Sequence, residues 1–147
     1  KKMDQDPGLV YVLTGDGELD EGQVWEAMMS AAHHKVDNMI VTVDWNGQQI
    51  DGATKDVMSL GDLDAKWKSF GWMVLHMNGN VMEEVLDTLA QAKALTGKGQ
   101  PVVILMKTDM GFGVDFMMGS HHWHGVAPND EQKDKALAQL EETLGDY

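Results

Sequence analysis

Short apolar runs alternate along the chain with segments in which apolar residues recur every three or four positions. Four apolar runs predict strands at Leu9–Leu13, Met39–Val43, Trp72–Met77 and Pro101–Met106. The helical periodicity of other segments predicts helices at Glu21–His34, Asp62–Phe70, Met82–Leu95 and Asp130–Leu144. Strands that alternate with helices predict an α/β fold, in which a parallel sheet has helices on both faces and right-handed crossovers.

Two of the predicted helices carry an apolar stripe at helical spacing. We expect Asp20 to be the N-cap of the first helix, whose stripe consists of Trp25, Met28, Met29 and Ala32. The stripe of the third helix, which is expected to face inward, consists of Met82, Val85, Leu86 and Leu89. The first stripe presents more large apolar surface than a small domain readily buries. We therefore expect that helix to pack in a subunit interface of a homo- or hetero-oligomer.

Length and composition narrow the class of protein. The 147 residues predict one domain over 1–147, and the lack of cysteine excludes disulfides, Cys-based zinc sites and thiol nucleophiles. A net charge of −13 argues against binding to nucleic acid. The longest apolar run, Pro101–Met106, is far shorter than the roughly 20 residues of a membrane span. Because no signal peptide is seen, we expect a cytoplasmic protein. The sequence begins with Lys1 and not with an initiator Met, so we also expect a fragment or a chain with further upstream residues.

Side chains with oxygen donors follow the first two predicted strands. Asp16 lies in Gly15-Asp16-Gly17, and Asn46 follows the second strand. Because the carboxyl ends of parallel strands meet at one edge of a sheet, we expect both side chains at the edge where such sheets bind ligands. A carboxylate and an amide oxygen suit Mg²⁺, and Gly17 lets backbone N–H groups approach a phosphate. Each segment alone is also typical of an ordinary turn, but their spacing favours a magnesium–diphosphate clamp.

Three sequence blocks, in order, resemble transketolases, which use thiamine diphosphate. The first is Gly15–Ala27, the second is Asp44–Gly52, and the third is Trp123–Asp130. Together they extend the resemblance over nearly the whole chain. The likeness is to the amino-terminal subunit of split transketolases, and it implies a thiamine-diphosphate-binding domain of the diphosphate type, of which this chain would be the carboxyl-terminal portion.

The resemblance implies a role for individual positions. Side-chain oxygens of Asp16 and Asn46 and the backbone carbonyl of Gln48 would bind Mg²⁺. His124 would be catalytic, beside the thiazolium ring and the donor sugar. Glu21 would correspond to a family glutamate that, with Glu26, couples two active sites across a dimer interface. The full set of cofactor-binding positions implied by the family is Gly15, Asp16, Gly17, Glu21, Asn46 and His124.

The implied activity is transfer of a two-carbon ketol unit from a ketose phosphate to an aldose phosphate, as in the pentose phosphate pathway. A pyrimidine-binding carboxyl-terminal half would be the partner, because the family's glutamate that activates the cofactor lies there. The family's upstream histidines and Gly-rich turn are also missing from this sequence. We therefore expect the isolated chain to be inactive towards sugar phosphates.

Three alternatives remain open from the sequence. Another thiamine-diphosphate enzyme, such as a deoxyxylulose-phosphate synthase or a 2-oxoacid dehydrogenase component, would share the clamp of Asp16 and Asn46. It would not be expected to share both Gln49–Gly52 and the His124-Gly125 block. A non-catalytic binding subunit would keep the fold without the activity. Finally, without its motif, a histidine such as His124 in a Gly-rich loop is more often a simple surface residue.

Overall fold

A parallel four-stranded sheet forms the centre of the molecule, and the computed structural model describes residues 4–141. The strands stand in the order β1-β2-β6-β5, and a separate two-stranded hairpin is formed by β3 and β4. Short 3-10 turns occur at Gly17–Asp20 and His121–Trp123. The elements in chain order are β1 (Val10–Gly15), α1 (Gly22–His33), β2 (Met39–Trp45), β3 (Gln48–Gln49), β4 (Gly52–Ala53), α2 (Thr54–Val57), α3 (Leu63–Ser69), β5 (Met73–Asn78), α4 (Met82–Leu95), β6 (Val102–Lys107) and α5 (Asp130–Leu137).

The register of the sheet brings the carboxyl ends of its strands together. Gly15 of β1 pairs with Asp44 of β2, which in turn pairs with Met106 of β6. All three strand pairings in this sheet are parallel. The residues that follow β1, β2 and β6 therefore emerge at one edge, as expected for an α/β sheet.

Helices cover both faces of the sheet, as predicted. The side chains of the central strands alternate between the faces, so Val103 belongs to one core and Ile104 to the other. On the first face, α1 and α3 contribute Met28 and Trp67, which are fully buried. On the second face, α4 contributes Ala92. The continuous apolar character of β6 follows from this burial on both sides.

The apolar stripe predicted for α4 is correct for Val85 and Leu89, which pack on the second core, and wrong for Met82 and Leu86. Met82 and Leu86 were expected to face inward, but they are 65% and 61% exposed. The inward face consists of the buried Thr88 and Ala92 together with the half-buried Val85 and Leu89. The physical reason is close packing: the small side chain of Ala92 lies on the sheet, and the helix turns its longer Met82 and Leu86 side chains to solvent.

Two helix ends also differ from expectation. The N-cap of α1 is Glu21, not Asp20, because Asp20 belongs to the preceding 3-10 turn. The last helix ends at Leu137 rather than Leu144, and positions 142–144 lie outside the described residues. Its start is well defined, since the Asn129 side chain accepts from the Gln132 N–H in a capping box.

The apolar residues of α1 are buried within the chain more fully than predicted. Met28 is 1% exposed, and Trp25 packs on Phe70 while its indole N–H donates to the Leu19 carbonyl at 2.8 Å. Of the predicted stripe, Met29 projects to solvent, with 53% of its surface exposed. Met29 is therefore the residue of the predicted stripe whose exposed apolar surface still supports a subunit interface. Among residues 4–141, no helix is both long enough and apolar enough to cross a membrane.

Candidate cofactor-binding site

Asp16 is held at the carboxyl end of β1 by its own backbone. Its N–H donates to the carbonyl of Asp44 at 3.0 Å, which extends the β1–β2 ladder by one residue. Asp16 is only 1% exposed, and its Oδ2 accepts the Gly47 N–H at 2.7 Å. The other oxygen, Oδ1, is buried and has no hydrogen-bond partner among the described residues. A buried carboxylate oxygen without a partner is costly unless a ligand completes it.

The electrostatic surroundings of Asp16 disfavour its charge in the absence of a cation. Burial raises the pKa of the Asp16 carboxyl above its ordinary value of 3.8, and the nearby Asp44 carboxylate raises it further. The hydrogen bond from the Gly47 N–H, the nearby Gly17 N–H and the charge of Lys107 oppose this rise in pKa. A bound cation would therefore be stabilised by Oδ1 of Asp16, whose negative charge no protein group among the described residues compensates.

Asn46 follows β2 and has a fixed side-chain amide. Its Nδ2 donates to Asp44 Oδ2 at 3.1 Å, and its Oδ1 accepts the Gln48 N–H at 2.8 Å. The other oxygen of Asp44 accepts a hydrogen bond from the Thr108 hydroxyl. Asp44 and Thr108 were not among the predicted site residues. Asp44 lies in the second block that resembles transketolases. Thr108 follows β6, far along the chain, and no sequence motif around it points to the site.

The two glycines that flank Asp16 contact other residues of the site, Gly15 through a hydrogen bond and Gly17 through close packing. The Gly15 N–H donates to the carboxylate of Glu18 at 2.6 Å. A Cβ added to Gly17 would lie 2.9 Å from Cβ of Gln49, so a side chain at this position would push the β3–β4 hairpin away. The hairpin is further tied down by Gln49, whose Nε2 donates to Asp20 Oδ2 at 3.2 Å. The close packing of the hairpin is therefore a sufficient reason for glycine at position 17.

His124 follows the 3-10 turn His121–Trp123 and is exposed. Its backbone N–H donates to the His121 carbonyl at 2.9 Å. The preceding Trp123 anchors the turn, because its indole N–H donates to the Phe116 carbonyl at 3.0 Å and its ring packs on that of Phe116. The His124 backbone is thus held in place while its side chain remains at the surface of the site.

A cavity of about 470 Å³ brings all of these positions together. Every predicted site residue lines it, as does Glu18, whose carboxylate was not predicted to take part. Several acidic side chains line the wall and would repel an anionic ligand, so such a ligand would need a bound cation to offset this repulsion. The predicted residues that line the cavity are Gly15, Asp16, Gly17, Glu21, Asn46, Gln48 and His124.

The donors in this cavity fit a hard cation with few protein ligands. Asp16 offers one carboxylate oxygen, and Asn46 and Gln48 add neutral oxygens nearby. No group of three His, Cys, Asp or Glu side chains within residues 4–141 is placed to hold a metal by itself. Such a donor set suits Mg²⁺, which keeps water and takes phosphate oxygens as further ligands.

The sequence matches the family model described as transketolase, thiamine diphosphate binding domain, over residues 3–145. Among curated proteins, it is 41% identical over 133 residues to one of the subunits of apulose-4-phosphate transketolase from Actinobacillus succinogenes. That alignment covers 90% of this chain and 47% of the relative. It is also 35% identical to human transketolase, covering 85% of this chain and 19% of the human protein.

Another relative is 6-deoxy-6-sulfo-D-fructose transketolase subunit SqwG of a Clostridium species. It is 39% identical, and the alignment covers 95% of this chain and 50% of that protein. The chain thus spans about half the length of these subunits. Among solved structures, transketolase from Campylobacter jejuni superposes with a TM-score of 0.82 at 34% identity, covering 90% of this chain and 20% of that one.

Proposed function

Because the chain belongs to the transketolase family, we propose that it supplies the magnesium–diphosphate half of a transketolase active site. The observation that carries this proposal is the buried Asp16 carboxylate, whose Oδ1 has no partner within residues 4–141 and which lies in the same cavity as Asn46 and Gln48. The hydrogen bond from the Gly47 N–H uses only Oδ2 of Asp16, so it does not compensate Oδ1. A divalent cation that is itself bound to a diphosphate would complete the unpartnered oxygen.

Three residues would hold the metal. Asp16 supplies the charged oxygen, and Asn46 and the backbone carbonyl of Gln48 supply neutral oxygens. These account for about half of the roughly six ligands of Mg²⁺, so the diphosphate and water provide the rest. The acidic wall of the cavity repels a free diphosphate, which makes metal and thiamine diphosphate bind together.

When bound, thiamine diphosphate supplies the electron sink needed to break and form the carbon–carbon bond in ketol transfer. The part played by this chain is to fix the diphosphate end and to contact the donor sugar. His124 is exposed and lines the cavity, and it would hydrogen-bond an oxygen of the donor sugar as the charge on that oxygen changes. Glu21 also lines the cavity, occupies the N-cap position of α1 without a side-chain capping hydrogen bond, and would take part in coupling between subunits.

A second polypeptide would complete the site. We propose a pyrimidine-binding carboxyl-terminal transketolase half, in keeping with relatives that are named as transketolase subunits. The substrates would be a ketose phosphate and an aldose phosphate, as in the pentose phosphate pathway, and the isolated chain would be inactive. Relatives are named for apulose 4-phosphate and for 6-deoxy-6-sulfo-D-fructose, so the sugar substrate would vary within the family.

Calorimetry on the reconstituted enzyme tests this proposal. Thiamine diphosphate should bind tightly with Mg²⁺ and lose nearly all affinity in excess chelator or in Asp16→Ala. Ketol transfer between sugar phosphates should require both polypeptides. Tight binding of the cofactor without metal, or unchanged binding in Asp16→Ala, would refute the clamp.

A further inference from the structure

We propose that Asp44 is a positioning residue that fixes the side-chain amide of Asn46, and that Thr108 anchors Asp44 for this task. This inference rests on the proposed function, since it concerns Asn46 as a ligand of the metal. It adds two residues, from the ends of β2 and β6, to a site otherwise formed by the loops after β1 and β2.

The hydrogen bonds of Asn46 permit one orientation of its amide. Nδ2 donates to Asp44 at 3.1 Å, and Oδ1 accepts the backbone N–H of Gln48 at 2.8 Å. An ionised carboxylate can only accept and a backbone N–H can only donate, so these two partners together distinguish the oxygen from the nitrogen. A flipped amide would lose both bonds and place its NH₂ group against the N–H of Gln48.

The orientation matters because only the oxygen of the amide binds a cation. A rotation of 180° about the last bond of Asn46 would present NH₂ hydrogens to the metal in place of a lone pair. Groups that orient a ligand in this way are commonly as necessary as the ligand, and removing them costs about 10–100-fold in metal affinity.

Asp44 has the contacts of a positioning residue rather than of a ligand. Each of its carboxylate oxygens accepts a hydrogen bond, one from Asn46 and one from the hydroxyl of Thr108. Asp16, in contrast, keeps Oδ1 without a partner in the described part of the chain. The two neighbouring carboxylates therefore have different roles: Asp16 would bind the metal, and Asp44 would orient the amide of Asn46.

The anchor comes from β6, the strand that pairs directly with β2. Thr108 directly follows β6, and its backbone N–H donates to the carbonyl of Trp45 at 3.4 Å. Its methyl group is accommodated by Gly79 after β5, where an added Cβ would lie 2.6 Å from Thr108 Cγ2. The residues that follow β5 and β6 therefore pack together at Thr108, whose hydroxyl holds Asp44.

Binding of Mn²⁺ in the presence of thiamine diphosphate, measured by the electron paramagnetic resonance signal of free Mn²⁺, tests this role. The enzyme used is the full chain reconstituted with its partner. Asp44→Ala should weaken Mn²⁺ binding by about 10–100-fold, as expected for loss of an orienting group. Asp44→Asn should stay within about threefold, because its oxygen can accept from Asn46 while its NH₂ donates to Thr108, whose hydroxyl then acts as the acceptor.

The double variant Asp44→Asn with Thr108→Val provides an independent route if Asp44→Ala folds poorly. Valine cannot accept from the new amide, so this variant should lose at least about tenfold in Mn²⁺ affinity relative to Asp44→Asn alone. Melting temperatures without metal show whether each variant is folded. Equal losses in Asp44→Asn and Asp44→Ala would show that charge matters rather than orientation, and would overturn the inference, as would unchanged affinity in Asp44→Ala.

The variant Asp16→Ala separates this inference from the proposed function. If Asp16→Ala removes Mn²⁺ binding but Asp44→Ala does not, the metal site stands and only the positioning role fails. If Asp16→Ala binds Mn²⁺ as well as the unmodified enzyme, the proposed metal site itself is wrong.

Discussion

Replacing Asp16 with asparagine should separate the cost of this residue to stability from its contribution to metal binding. Asparagine has the same shape and retains an oxygen that can accept the Gly47 N–H, but it carries no charge. In the metal-free chain, burial raises the pKa of the Asp16 carboxyl, so ionising this group at neutral pH disfavours the folded state. We therefore expect Asp16→Asn to have a larger free energy of unfolding than the unmodified chain at about pH 7.

The size of the effect follows from the unpartnered Oδ1. A buried polar group without a hydrogen bond costs about 1–3 kcal/mol when neutral and more when charged. Asparagine leaves a neutral group in the place of the charged Oδ1 and so removes only the additional cost of the charge, for which we expect a gain of about 1 kcal/mol. The sign depends on pH. Because the folded-state pKa is raised above 3.8, the stability contributed by Asp16 is fully present below that pH and is lost as pH rises through the folded-state pKa. The advantage of Asp16→Asn should thus grow from acid to neutral pH.

Urea unfolding at acid and neutral pH measures this difference on the full chain. In the reconstituted enzyme, Mg²⁺ with thiamine diphosphate at about 100 times the dissociation constant should add about 2.7 kcal/mol to the unmodified protein and nearly nothing to Asp16→Asn. The order of stability would then reverse. If Asp16→Asn is less stable without metal at neutral pH, or gains as much from the cofactor, the account of this buried carboxylate is refuted.

Three further substitutions have defined outcomes. His124→Ala should lower ketol transfer by about 10²-fold at saturating cofactor, whereas His121→Ala should have little effect; equal losses would show that His124 has no special role. Gly79→Ala should destabilise the chain by about 1–3 kcal/mol in urea unfolding, because the added Cβ would lie 2.5 Å from Cγ of Met106; an unchanged midpoint would contradict this. Asp64→Asn should be less stable than the unmodified chain at neutral pH, and the gap should close in acid. The reason is that hydrogen bonds from Lys68 and His76 lower the pKa of the Asp64 carboxyl. The stability that Asp64 contributes is therefore present above pH 3.8 and is lost as pH falls through the lowered folded-state pKa. A difference in stability that persists in acid would contradict this account.

The main sheet could be predicted from the sequence because its strands are buried. Each of the four apolar runs lies within about two residues of an observed strand of that sheet. The hairpin β3–β4 and the one-turn helix α2 were not predicted, since elements of two to four residues are too short to show a period. In α4, methionine and leucine suggested one stripe, but packing against the sheet selected the smaller Thr88 and Ala92.

The candidate site was predictable only where its residues have local signals. Asp16 and Asn46 each follow a strand, and both line the same cavity in the structure. The contact between Asp44 and Thr108 joins residues 64 positions apart, so no sequence pattern points to it. The packing of Gln49 against Gly17 likewise depends on a hairpin that the sequence did not reveal.

The central place of β6 also affects how the chain can fold. This strand is the last of the sheet in sequence, yet it lies between β2 and β5, and Ile40 pairs with Val102. Pairings over such long stretches of chain form slowly, because the entropy of closing the intervening loop must be lost first. During synthesis, Asp16 and Asn46 would leave the ribosome well before Thr108. If Thr108 anchors the proposed metal site, the geometry of that site is acquired only when the middle of the sheet closes, and slow closure would delay cofactor uptake rather than the formation of α1.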